Sequence, residues 1–155
     1  MWSTSRTNPW SRTRRILCNK KLQTLIKMHV VLKSSPSVRH HYRVELPNKR
    51  AVDFGVKGEA SYMTHRDPYL VRAHLIEHGG VMSDEIREQS DPAELHRSLL
   101  WVENSLTEDW DDIYAREYWE RWLLWSFPTL HQAKLFMTMR KGFLFMPNQE
   151  DMWYV

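Results

Sequence analysis

His74 and His78 stand four residues apart, a spacing that on a helix puts two imidazoles on one face at metal-ligand distance. Glu77 and His65 are the nearby groups able to complete such a set. Glu77 falls outside an HExxH frame, however, and no second ligand pair follows downstream. Packing or hydrogen bonding is therefore the expected role of these histidines. His40 and His41 are neighbours on a stretch of strand character, where their rings point to opposite faces and share an ion poorly. Acid pairs such as Asp84-Glu85 and Asp111-Asp112 sit in a run of like charge. General acid/base work needs converging carboxylates with perturbed pKa values, so these pairs read as solvated surface. Cys18 lies among cations that would lower its pKa, but no oxyanion loop accompanies it. As the sole cysteine it can form neither an internal disulfide nor a CxxC zinc set. The Gly55–Gly58 loop is too short for a phosphate-binding loop and lacks its GK[ST] ending. No enzyme signature remains, and no metal or cofactor is implied.

Aromatic residues offer a different chemistry. Eight tryptophans in 155 residues exceed what core packing ordinarily demands, and Trp119, Trp122 and Trp125 cluster. Such a cluster could stack nucleic-acid bases, but cations must surround it for that, and here acidic side chains precede it. Core packing combined with protein–protein anchoring is the expectation for all three.

The elements that must position these residues are legible in outline. Val38 to Leu46 alternates, with Tyr42, Val44 and Leu46 on one face and Arg43 and Glu45 on the other. Pro47-Asn48-Lys49-Arg50 is a turn signal, and Ala51–Phe54 returns as the partner strand. A strand from Lys27 to Lys33 would make the sheet three-stranded. Asp67-Pro68 opens a helix bearing Val71, His74, Leu75 and His78 on one stripe, with Gly79-Gly80 as its stop. Asp91-Pro92 opens a second, with Leu95, Leu99 and Val102 on one face. A third is expected from about Asp111 to Trp125, carrying Tyr114, Tyr118, Trp122 and Trp125. Its far side would be solvated, through Arg116–Glu120 and Glu117–Arg121 pairs worth a few tenths of a kcal/mol each. Pro128 starts a fourth through Leu130, Ala133 and Met137, ended by Gly142. The expected fold is a single α+β domain over 28–142: a hairpin or three-stranded sheet followed by three to four helices. An extended basic arm (1–27) precedes it and an apolar tail (143–155) follows.

Charge is unevenly spread. The net charge is +3, yet residues 1–50 carry twelve Lys/Arg against Glu45 alone. Residues 82–120 hold twelve acids and three bases. The arm, with Arg6, Arg12, Arg14, Arg15, Lys20 and Lys21, has three readings. It is an organelle transit peptide, a segment neutralising phosphate or an acidic protein surface, or a tail that orders in an assembly. It lacks the apolar region of a secretory signal, and no run approaches the roughly 20 apolar residues that span a bilayer.

Three stretches together resemble a short, poorly characterised family of nucleocytoplasmic large DNA viruses of phycodnavirus and iridovirus type. Val52-Asp53-Phe54-Gly55-Val56-Lys57-Gly58 matches its FGxKG hairpin end. Tyr62-Met63-Thr64-His65-Arg66-Asp67-Pro68, with Arg72 and His78 downstream, is similar to its HKD element. Glu108-Asp109-Trp110, followed by Tyr118-Trp119-Glu120-Arg121-Trp122-Leu123-Leu124-Trp125-Ser126-Phe127-Pro128-Thr129-Leu130, is similar to its EDW and WxRWLLWxxPTL motifs. The likeness covers roughly Val38 to Leu135. Residues 80–106 stand where the family has only a few residues, and His78 follows a glutamate rather than an arginine. Met28, just ahead of the family-like region, is an alternative start of translation.

The resemblance implies a virus-encoded protein with a structural task and brings no catalytic residues. The expectation is a minor capsid or virion-assembly protein, non-enzymatic, located in the virion on the inner side of the capsid, and in host cytoplasm during assembly. Its partners would be the major capsid protein, other virion proteins or further copies of itself. Arg6, Arg12, Arg14, Arg15, Lys20 and Lys21 would meet acidic surfaces, while Trp119, Trp122 and Trp125 anchor the compact part. The alternative is a virus-encoded accessory protein that holds nucleic acid through its basic N-terminal half.

Overall fold

The computed structural model describes residues 28–148. Three antiparallel strands come first: β1 (Met28–Ser34), β2 (His40–Glu45) and β3 (Ala51–Val56). Val44 lies opposite Leu32 on one side and Val52 on the other, and Tyr42 lies opposite Phe54. The alternation expected around Val44 therefore faces a core, and the other face carries ion pairs. Arg43 grips Asp53 with two hydrogen bonds of 2.8 and 3.0 Å, and Lys33 pairs with Glu45. The Arg43 guanidinium, with the Ser35 hydroxyl, holds the Asp53 carboxyl down at about 2.

Short helices follow. α1 (Tyr62–His65) leads into α2 (Pro68–Glu77), whose first turn is capped by the Asp67 carboxylate accepting from Tyr69 N–H. α3 (Asp84–Glu88) precedes α4 (Pro92–Leu99), capped by Asp91. α5 (Arg116–Trp119) passes directly into a π-helical turn, Glu120–Leu124, closed by Trp125 N–H on the Glu120 carbonyl. α6 (Leu130–Lys141), capped by Thr129, ends at Gly142. A fourth strand, β4 (Phe143–Phe145), then pairs parallel with β1, giving the order β3-β2-β1-β4.

The class is thus α+β, a small sheet followed by helices. Four details differ from the sequence expectation. The apolar tail does not begin at 143, because Phe143 is buried in the core and its strand completes the sheet. The fourth helix begins two residues after Pro128. The third is far shorter than Asp111 to Trp125, because Asp112 accepts from the Tyr114 N–H and holds the chain in turns until Ala115. Its supposedly solvated side carries Arg121, which is 2% exposed.

Two cores result. Under the sheet, Val30, Val44, Phe54, Trp119, Trp122, Leu123, Met137 and Phe143 pack together. Beside it, Tyr62, Val71, Leu75, Leu95, Leu99, Val102 and Trp110 form a helical core. Residues 80–106 are accordingly not a surface appendage, since they supply Leu95, Leu99 and Val102. Their ends meet where Gly80 bridges Ser105 and the Val81 N–H donates to Asn104. Gly80 has no room for a side chain there: a Cβ would lie 2.7 Å from the Leu75 carbonyl oxygen.

Candidate functional site

A cleft of about 580 Å³ opens between the sheet and the helices. The β2 and β3 ends supply His41, Tyr42, Gly55 and Val56, the connection into α1 supplies Glu59 and Ser61, and α1 itself supplies Thr64. His74 and His78 come from α2, while the π turn and the residue after it bring Glu120, Leu124 and Trp125. Gly55 makes the close fit of these elements possible. Its φ of 75° is a left-handed conformation, and a Cβ would stand 3.1 Å from the Tyr42 ring and 3.2 Å from Leu124.

The histidines are arranged by stacking. The His74 ring lies 3.5 Å from Trp125, nearly parallel to it, and 4.0 Å from the His78 ring. Burial, with His78, Arg121 and His65 nearby, pushes the His74 pKa down to about 3, so it is neutral at neutral pH. His78 Nδ1 lies 2.5 Å from a Glu108 carboxylate oxygen, whose partner oxygen accepts from the Trp110 indole N–H at 2.9 Å. His65 Nδ1 accepts from Asp67 N–H, and its ring leans on Trp125. His65 Nε2 is buried without a hydrogen-bond partner, and the rings lie stacked or tilted against one another and Trp125. Among the described residues, no group of three His, Cys, Asp or Glu side chains could hold a metal ion. His65, His74 and His78 therefore do not make the metal set that their spacing permitted. His41 is exposed at the cleft while His40 turns away to Ser37, as neighbours on a strand must.

Glu120 is a partly buried carboxylate at the cleft with weak partners. It accepts one long hydrogen bond from Gly55 N–H, at 3.4 Å, and stands 3.6 Å from Arg116 Nε. Burial raises its pKa, with Glu108 and Glu117 adding to the rise. A π turn inserts an extra residue into a helix and is common at functional sites. Here it lets Glu120 and Trp125 both reach the cleft while Arg121, Trp122 and Leu123 are buried.

Arg121 links the two cores. Its Nη2 donates to the carbonyls of Leu99 and Val102, its Nη1 to that of Trp125, and its guanidinium lies 4.3 Å from the Trp122 ring centre. Burial lowers its pKa to about 9, which leaves it charged at neutral pH.

The expected partner-binding residues divide sharply. Arg6, Arg12, Arg14, Arg15, Lys20 and Lys21 lie outside the described residues. Trp119 and Trp122 are 0% exposed, so they cannot anchor a partner while the domain is folded. Their indole N–H groups donate to Ile113 and Trp110 carbonyls, which satisfies their polar edges inside. Trp125 is half-buried and lines the cleft. Among the described residues the exposed tryptophan is Trp101, at 61%, with the Arg140 guanidinium 4.2 Å from its ring centre. On the same helix as Arg140, Leu135 and Met139 are exposed and join Phe127, Gln132 and Phe136 around a groove of about 370 Å³. The signal for these residues was available. Trp101 falls off the Leu95, Leu99, Val102 stripe, and Leu135 and Met139 fall off the Leu130, Ala133, Met137 stripe.

Residues 30–78 match a family of unknown function, DUF5754. That segment supplies the sheet-side wall of the cleft and ends on His78. No curated protein and no solved structure matches the chain.

Proposed function

We propose that this protein is a non-enzymatic structural component of a virus particle, a minor capsid or assembly protein that joins other virion proteins by docking. The observation that carries the proposal is the exposed apolar face of Leu135 and Met139 around the Phe127–Phe136 groove, with the exposed Trp101 next to it under Arg140. Large apolar side chains left together in water mark a surface that another protein covers. Trp101 and the Arg140 stacked over it are both of residue types enriched where such interfaces concentrate their binding energy. The motif resemblance supplies the virus, and the apolar face supplies the manner of attachment.

The test is whether the protein is present in purified particles at a fixed ratio to the major coat protein, and whether Leu135→Lys with Met139→Lys removes it. Loss of incorporation with an unchanged melting temperature supports docking through this face. Absence of the wild-type protein from particles ends the proposal. A salt-sensitive association of the wild-type protein with nucleic acid, abolished by neutralising Arg12, Arg14 and Arg15, would replace it with the accessory nucleic-acid role.

A further inference from the structure

The groove on α6 is apolar, and its helix is basic. Leu135 and Met139 remain exposed among the described residues, while Leu130–Lys141 carries Lys134, Arg140 and Lys141 and no acid. Among the described residues no ion pair holds Lys134 or Arg140. Both lie against rings instead, Lys134 at 5.8 Å from the Phe145 ring centre and Arg140 over Trp101 and Phe136. A segment suited to this face is apolar and acidic at once. Two stretches of the chain lie outside the described residues, and charge separates them. Residues 1–27 carry seven bases and no acid, so α6 repels them. Residues 149–155 hold Glu150 and Asp151, no base, and then Met152, Trp153, Tyr154 and Val155 in a row.

We infer that residues 149–155 lie over α6 of the same chain and cover the apolar groove, as an internal competitor that a docking partner must displace. The inference rests on the reading of this face as a docking surface. The place where the described chain ends supports it. β4 turns back from Gly142 along α6, so that Phe145 lies beside Lys134, one residue before Leu135, and the Met146 N–H donates to the Val30 carbonyl. Residues 146–155 follow, and that length of extended chain reaches as far as about 33 Å. Passing halfway round a helix takes about 16–19 Å, given a diameter of about 10–12 Å. The chain's own tail therefore reaches the groove with residues to spare. Trp153 and Tyr154 would bury their rings, roughly 150–250 Å² each, against Phe127, Phe136, Leu135 and Met139. Glu150 and Asp151 would meet Lys134 and Arg140. A tethered segment acts at a millimolar effective concentration, an advantage that a second copy's tail lacks in dilute solution.

The experiment follows the Leu135 and Met139 methyl signals in the full-length protein. Trp153→Ser with Tyr154→Ser should shift both, leave the Val30 and Val44 methyl signals in place, and keep the melting temperature. A synthetic peptide of residues 149–155 should then bind that variant about tenfold more tightly than wild type, whose groove its own tail occupies. Bound peptide should return the methyl signals toward their wild-type positions. Glu150→Gln with Asp151→Gln in the peptide should weaken it about fivefold, the scale of losing exposed charge pairs. Equal affinity for the two proteins overturns the inference, as do methyl signals that ignore the substitutions. Wild-type signals that move with protein concentration also overturn it, because they put the tail in a neighbour's groove. The uncovered variant should enter particles more readily than wild type, and poorer entry overturns the competitor role. If Leu135→Lys with Met139→Lys enters particles unimpaired, the docking reading fails, while the methyl shifts and peptide affinities still decide whether the tail covers the groove.

Discussion

The core under the sheet is closed by apolar side chains from strands, π turn and final helix, whereas the helical core beside it is fastened by a buried cation. The first core draws Val30 and Phe143 from nearly opposite ends of the described chain, so its parts arrive by sheet pairing. The second is built largely from residues 62–110, with short helices whose carbonyl ends need donors. Arg121 supplies them, reaching from the π turn to Leu99 and Val102. A guanidinium there satisfies several helix-end carbonyls at once and favours the negative end of the α4 dipole. Where strands provide their own hydrogen-bond partners, apolar packing suffices; where short helices end inside the protein, a charged donor is needed.

The strongest way to break that arrangement is Arg121→Met, which keeps much of the volume and removes the donors. We expect a loss of about 3–5 kcal/mol, because three carbonyls lose a charged partner in a buried place. Chemical denaturation should show it, and Arg121→Lys should recover only part.

Leu95→Ala and Leu123→Ala place the same truncation in the two cores, and both side chains are fully buried. Each should cost about 2–5 kcal/mol, with one cooperative transition in both cases. Hydrogen exchange is the sharper measurement: Leu95→Ala should accelerate exchange in β1–β3 as well as in α4. Acceleration confined to 80–106 would make the helical core a separate unit.

Acid sensitivity comes next. The folded-state pKa of His74 is lowered from 6.5 to about 3, so below pH 6.5 the unfolded chain binds a proton that the folded chain refuses. Stability should fall between about pH 6.5 and pH 3, by roughly 2 kcal/mol once the ring's partial solvent contact is allowed for. His74→Gln should flatten that slope. Asp53 acts lower: its carboxyl, depressed from 3.8 to about 2, adds stability above pH 4 that disappears as pH falls to 2.

The smallest effect on folding should come from Leu135→Lys with Met139→Lys, within about 0.5 kcal/mol for exposed positions. If the proposed docking role holds, particle incorporation should nevertheless be lost. That contrast separates residues that hold the domain from residues that present it.

Much of the fold was visible in local pattern because its causes are local. Asp67-Pro68 and Asp91-Pro92 cap their own helices within three residues, and the alternation around Val44 reports burial of one strand face directly. The third helix departs from its apolar spacing for the converse reason. Tyr114, Tyr118, Trp122 and Trp125 satisfy helical spacing, yet Asp112 competes for the backbone at one end and a π turn shifts the register at the other. Periodicity counts apolar residues but does not register an inserted one.

The amino-acid sequence alone determined the α+β class, the hairpin and its turn, the main helix starts, and the separation of a basic N-terminal stretch from an acidic middle. Only the tertiary structure decided which tryptophans are core and which is exposed, that Arg121 is buried, and that Glu120 faces a cleft. Caps and strand alternation operate over two to four residues, whereas Arg121 meets Leu99 across 22 residues and Glu120 meets Gly55 across 65. Burial and charge pairing at that range depend on which surfaces meet, and that is known only once the chain has folded.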